Sequence, residues 1–371
     1  MFPRRYTSRP PSCFLRFWIP IATLLLPFCM AGCGELAYYG QAASGQLSLL
    51  SGAEDIPVLL QKPDTPAELA RKLRLIQEAR TFAQRQLALT PGDNYTTYVD
   101  TGKPFVLWNI SATPAFSLTP KKWCYPVVGC QSYRGYFAQE DAEKAAATLR
   151  SEDQDVYVSG VSAYSTLGWF DDPVLNTFVF RSDLDLVTLI FHELAHKVLY
   201  IPGDTAFNES FATAVEEAGL QDWLEAHDQS DQYSVYVGRR QHHEAFTRRV
   251  LATIKELEAL YATAVPEHST RENWLGPRKE AIIEKMRAGY FEESASWTFK
   301  GYDAWFSSPI NNAKLITVAN YHQYVPHFSS LLRKQRRDFR SFYERAKNLG
   351  ELPPEARLKM LEEILRERPE E

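Results

Sequence analysis

Two histidines four residues apart, with a glutamate beside the first, constrain this chain more than any other stretch: His192-Glu193-Leu194-Ala195-His196. Positions i and i+4 of a helix lie one above the other, so both imidazoles reach a single metal ion while Glu193 addresses the attacking water. The flanking pattern also asks for a helix. Leu184, Val187, Ile190 and Phe191 recur at the three- and four-residue spacing of a buried face, and Ser182 or Asp183 suits the N-cap. Ordinary hydrogen-bonded surface histidines would account for His192 and His196 but leave Glu193 unexplained.

A catalytic zinc needs three protein ligands and one open position. The segment Tyr200-Ile201-Pro202-Gly203-Asp204 breaks the first helix, and Asp204 or Thr205 can cap a second, whose Phe207, Phe211, Ala214, Val215 and Ala218 form an apolar stripe. In an antiparallel hairpin pivoting at residues 202–203, Glu209 comes level with His196 and Glu216 with Leu189. Two helical turns separate the glutamates by roughly 10 Å, so one ion cannot hold both. Glu209 is the expected third ligand, with Asn208 orienting it, and Glu216 is the fallback. Zn²⁺ on His192, His196 and Glu209, with Glu193 as general base, describes amide hydrolysis. For the group that stabilises the developing oxyanion, Tyr321 and His322 in the stretch 311–324 are the candidates.

The amino terminus sets the expected compartment. Arg4, Arg5, Arg9 and Arg16 precede an apolar run from Phe17 to Met30 that closes on Met30-Ala31-Gly32-Cys33. At about 14 residues the run is short for a membrane span, which needs roughly 20. The pattern resembles a bacterial lipobox, so residues 1–32 read as a lipoprotein signal peptide and Cys33 as the lipid-bearing residue. Gly34 tilts the destination toward the outer rather than the inner membrane. An uncleaved N-terminal anchor is the competing reading, and both put the catalytic part in the periplasm. Of the five cysteines, Cys124 and Cys130 then remain as an even pair across a turn-rich loop, where an oxidising compartment favours a disulfide.

Charge excludes one class of partner. Removing residues 1–32 takes away four Arg and no acid, so Lys+Arg falls from 41 to 37 against 46 Asp+Glu, a net charge of −9. No basic patch of the size nucleic acid requires is present. The one cluster, Arg333-Lys334-Gln335-Arg336-Arg337, reads as a solvated helix face.

The remainder, 33–371, reads as a single α+β domain, predominantly helical, with a small β-sheet packed beside the metal-binding helix. Its parts are an N-terminal helical and strand part (33–120), the sheet with the metal-site helices (121–230) and a helical C-terminal part (231–371). Asp64-Thr65-Pro66-Ala67-Glu68 opens a helix with Leu69, Leu73, Ile76, Ala79, Phe82 and Leu87 buried, which Pro91-Gly92-Asp93 ends. Strands are predicted near Lys103–Ile110, Tyr133–Phe137, Asp155–Val158 and Thr177–Arg181, and helices over 238–262, 276–289 and 327–347. The last residues, from Leu361, read as frayed. The loop from Ser162 to Pro173 suits a cleft rim, where Asp171 or Asp172 either caps a turn or pairs with the amine of a peptide.

Six segments carry a resemblance to the putative zinc aminopeptidase family of Gram-negative bacteria. They are Trp123–Cys130, Tyr133–Phe137, Tyr164–Pro173, the His192–His196 motif, Phe207–Ala212 and Asn311–Ala313. The resemblance implies a gluzincin-like, lipobox-bearing metallopeptidase of zincin-like fold, with His192, His196 and Glu209 as ligands and Glu193 as base. Its substrate is then a peptide shortened from the N-terminus in the cell envelope. A zinc endopeptidase with the same site remains the near alternative, and a lipid-anchored scaffold with a structural metal site the distant one.

Overall fold

Ser182 accepts the amide of Asp185 and so starts the helix that carries both histidines, and Asp204 does the same for its partner helix by accepting the amide of Phe207. The computed structural model describes residues 19–125, 129–163, 171–297, 300–322 and 324–366, with the side chains of 19–34 and 319–322 outside the description. The chain divides into two compact units, Met1–Ser51 and Gly52–Glu371.

The first unit holds one described helix, α1 (Ile19–Ser51), within which Cys33 falls. No described helix is long and apolar enough to cross a membrane.

The second unit is α+β and mostly helical. It begins with β1 (Glu54–Asp55), α2 (Ile56–Leu59), α3 (Ala67–Gln86), β2 (Thr97–Val99) and β3 (Leu107–Pro114). A hairpin of β4 (Trp123–Tyr125) and β5 (Gly129–Gln131) precedes β6 (Arg134–Tyr136), α4 (Gln139–Ser151), β7 (Gln154–Val161), β8 (Val174–Leu175) and α5 (Asn176–Val179). The two site helices follow, α6 (Asp183–Val198) and α7 (Thr205–Ala226). Helices complete the chain: α8 (Gln232–Tyr261), α9 (Arg271–Ser294), α10 (Asp303–Ser307), α11 (Asn312–His322), α12 (Val325–Lys334), α13 (Phe339–Gly350) and α14 (Pro354–Arg366).

The main sheet runs β6-β3-β7, antiparallel throughout, with Trp108 opposite Tyr136 and Ile110 opposite Val158. One face buries Trp108, Ile110, Ala112 and Val156 against Ala142, Ala146 and Leu149 of α4. The sheet packs directly on α4 and α11 and meets α6 across a cavity, so it lies beside the metal helix without sheathing it. Asn312 staples this arrangement: its buried side chain donates to the carbonyls of Ala115 and Ser117 and accepts from Tyr261, while its amide bonds Asp155.

Helix α7 is the centre of the second unit. It is buried on several faces, packs against α6, α8, α11 and α12, and meets Phe328 and Phe342 through Phe207 and Phe211. At Gly219 a Cβ would come 2.6 Å from Leu87 and 2.9 Å from Phe191, so only glycine allows α7 to lie this close to α6. The hairpin start is anchored from the far end of the chain, because Arg357 of α14 pairs with Asp204 and lies 5.0 Å from the centre of the Phe207 ring. A second aromatic core between α8 and α9 gathers Phe246, Val250, Ile283, Met286, Tyr290 and Phe306.

Several expectations change. The predicted strand Thr177–Arg181 is instead the helical turn α5, and the strand there is only Val174–Leu175, paired parallel to β2. Asn176 ends it by accepting from the amide and hydroxyl of Thr101. The predicted helix 327–347 is two helices, α12 and α13, broken where Arg336 and Arg337 take positive φ. Arg337 is only partly solvated: it pairs with Asp222 and donates to the carbonyl of Ala218, both on α7. Leu361–Arg366 is helical, and residues 367–371 lie outside the described residues.

Candidate metal centre

The hairpin turn at Pro202-Gly203 returns α7 antiparallel along α6, and three side chains converge between them. His192 Nε2 lies 3.2 Å from His196 Nε2 and 3.2 Å from Glu209 Oε2, and His196 Nε2 lies 3.7 Å from the same carboxylate oxygen. Donors held at 2.0–2.1 Å around a tetrahedral ion stand about 3.3 Å apart, so this triangle has the size and the nitrogen–oxygen composition that zinc takes. Among the described residues His192, His196 and Glu209 are the group able to hold a metal ion.

Electrostatics point the same way. Burial disfavours a charge on His192, yet its hydrogen bonds to Glu209 and Glu216 outweigh it and hold the imidazole well above its ordinary pKa. Burial likewise raises Glu209, but the two histidines overcome it and keep the carboxylate ionised well below its usual range. A buried anion facing two imidazole nitrogens attracts a cation into the gap between them.

Glu216 is placed differently from the expectation of a residue level with Leu189. Its Oε2 lies 2.8 Å from His192 Nδ1. Helical side chains lean toward the N-terminus of their own helix, which in an antiparallel hairpin carries Glu216 one turn further along α6 than its Cα suggests. A carboxylate only accepts, so Nδ1 donates to Glu216, and a metal bound through Nε2 would take the place of the proton that Nε2 shares with Glu209. His196 Nδ1 is buried and has no hydrogen-bond partner among the described residues.

Asn208 does not orient Glu209. Its side chain closes both the amide and the carbonyl of Ile201, at 2.8 and 2.9 Å, and so locks the hairpin turn. The β4–β5 hairpin covers that turn, with a disulfide joining Cys124 to Cys130, Gly129 packed by Pro202, and Gln131 donating to the Tyr200 hydroxyl.

Glu193 faces a cavity of about 390 Å³ between α6 and the end of β7, walled by Ser159–Ala163, Leu189 and Arg181. Burial raises its carboxyl, the two histidines lower it, and Glu209 and Asp172 add to the rise. Ser162 and Ala163 of the predicted rim thus line the cavity; residues 164–170 lie outside the described residues. Asp172 is buried, and its backbone is locked by Asn94 and Tyr95. Tyr321 and His322 close α11, but their side chains are outside the description.

Two residues near Glu193 escaped the sequence reading. Arg181, read as the end of a strand, lines the cavity and hydrogen-bonds Ser162. Its position just before the N-cap Ser182 was the available signal. Tyr95 is buried at positive φ, and burial, then Glu193 and Asp172, push its hydroxyl pKa well up. Nothing in its flanking residues marks it.

A helical hairpin presenting two imidazoles and a carboxylate to one point, with a further carboxylate on an adjoining cavity wall, has the make-up of a hydrolase centre. Residues 37–361 match the family model described as "Putative aminopeptidase", and the chain belongs to that family. No curated protein and no solved structure matches it.

Proposed function

We propose that this chain is a zinc-dependent aminopeptidase of zincin-like, gluzincin-type construction, with His192, His196 and Glu209 as metal ligands and Glu193 as general base. The observation that carries it is the donor triangle between α6 and α7, with Glu193 next to its first member and facing the cavity. Membership of an aminopeptidase family supports peptides as substrates.

Zinc held there would supply Lewis acidity, acidifying water and polarising the scissile carbonyl. Glu193 takes the proton of the attacking water and passes it to the departing amine. Glu216 holds the His192 ring through Nδ1 and keeps Nε2 directed at Glu209. Membership of the aminopeptidase family favours removal of N-terminal residues over internal cleavage, and Asp172, whose charge reaches Glu193, is the candidate acid for the free amine. Tyr321 and His322 stay the candidates for oxyanion stabilisation.

We propose also that Cys33 is lipidated after removal of residues 1–32, anchoring the enzyme in the periplasm at the outer or inner membrane. Fatty-acid labelling that persists in Cys33→Ala defeats this part.

The hydrolase is tested with Glu193→Gln. The variant should keep one zinc per chain while kcat on free-amine peptides drops by about 10²–10⁴. Equal cleavage of N-acetylated peptides by the wild-type chain would replace the aminopeptidase with an endopeptidase. Full activity in Glu193→Gln would end the proposed mechanism.

A further inference from the structure

Three cavities adjoin along α6. The one facing Glu193 shares Arg181, Leu189 and Glu193 with a second of about 480 Å³ that also touches His192 and Glu216. The second shares Asp185 and Glu216 with a third of about 790 Å³ between α7 and α8. The second cavity thus adjoins both the candidate base and the third cavity.

That third cavity differs in chemistry from the other two. Tyr236, Leu251, Tyr302, Val325 and Pro326 give it an apolar wall. The charges at its inner end are matched: Arg239 with Asp185, Arg240 with Glu217 and Glu244, and Glu216 with His192. Among the described residues this leaves Arg248 and Lys255, both exposed, as the unpaired charges of its wall, which disfavour a basic guest. Its volume is that of a pocket built to enclose a ligand.

The register places it next to the reacting bond. Thr213 lies on its wall and shares a face of α7 with Glu209, four residues and about 6 Å along the helix. An extended peptide advances about 3.3–3.6 Å per residue, so this offset is one or two residues.

We propose that the α7–α8 cavity is the side-chain subsite of this enzyme, and that its substrates carry a bulky apolar or aromatic residue within two positions of the bond that is cut. This deepens the peptidase reading and rests on it for the word substrate, but filling of the cavity needs no turnover and is measured separately.

The test uses the full chain carrying Glu193→Gln, loaded with zinc, and fluorescein-labelled heptapeptides of Ala in which one Phe or one Lys is walked through the positions. Anisotropy should show Phe at one or two neighbouring positions binding at least tenfold tighter than the all-Ala peptide, and Lys there no tighter. Leu251→Trp, which fills the cavity, should cut the Phe gain over the all-Ala peptide below threefold. Val325→Trp, entering from α12, provides an independent block if the first variant does not fold. A Phe gain absent at every position, or one that survives both tryptophans, overturns the subsite. With Glu193 restored, Phe-selective binding without cleavage of any peptide upholds the subsite and defeats the peptidase; cleavage indifferent to Phe does the reverse.

Discussion

His192 is held at both edges, with Glu216 Oε2 2.8 Å from Nδ1 and Glu209 Oε2 3.2 Å from Nε2. The two carboxylates therefore have unequal work although they sit on one helix face. Glu209 points into the gap that also receives His196, whereas Glu216 sits behind the ring and sets its tautomer. Glu209→Gln should abolish stoichiometric zinc. Glu216→Gln should retain it with affinity lower by about 10- to 100-fold. Competition with a chromogenic chelator measures both, and the reverse order would reassign the ligand.

Gly219 lets α6 and α7 meet. Alanine normally gains about 1 kcal/mol over glycine inside a helix. Here the added methyl meets Leu87 and Phe191, both fully buried, and overpacking of this kind costs about 1–3 kcal/mol. Gly219→Ala should therefore lose stability despite the better propensity. Because Phe191 precedes His192, it should also weaken zinc retention. Thermal melts with and without added zinc read both effects, and a variant more stable than wild type would refute the packing argument.

Asn312 belongs to a stretch shared with the resembling family and opens the helix that the proposed oxyanion candidates close, yet its own contacts are architectural. Its amide group serves two loop carbonyls and the Tyr261 hydroxyl at 2.9–3.1 Å. Asn312→Ala leaves these half-buried partners unpaired, at about 1–3 kcal/mol each where they stay dry. The melting temperature should fall while kcat per folded molecule changes little. A large loss of kcat with an unchanged melt would move Asn312 into the reaction.

What was legible in the sequence were features fixed by neighbours along the chain. The i, i+4 histidines, the caps Ser182 and Asp204, the break at Pro202-Gly203 and the stripes of α3, α8 and α9 all depend on local spacing, and all appear in the fold. Failures came where distant partners decide. No glycine or proline marks the break at Arg336-Arg337; it follows from Arg337 reaching back to α7, and the cap Asp338 was the one local clue. Asn208 looked like a ligand's companion because it adjoins Glu209, but neighbours on a helix face different ways, and it faces the turn. Glu216 was placed by its Cα position alone, and the lean of helical side chains made up the difference.

Lys314 gives the fold a pH dependence of known sign. It is buried, donates to the carbonyls of Trp305 and Pro309 and to Ser308, and lies 4.5 Å from the centre of the Trp305 ring. Burial, with a smaller push from Arg287, lowers its pKa from 10.5 to about 8. Between these values the unfolded chain binds the proton and the native chain does not, so this residue's contribution to stability rises with pH across that window. Below about pH 8 both states are charged and the cost of burying the ammonium is fully present. Lys314→Met removes the titration while keeping most of the volume. The stability of wild type relative to Lys314→Met should therefore climb from pH 8 to 10, by at most about 3 kcal/mol at 1.36 kcal/mol per unit. Urea melts of both chains at matched pH values measure the difference, in which titrations common to both cancel, and a difference that is flat or falls with pH would show that Lys314 keeps an ordinary pKa in the native state.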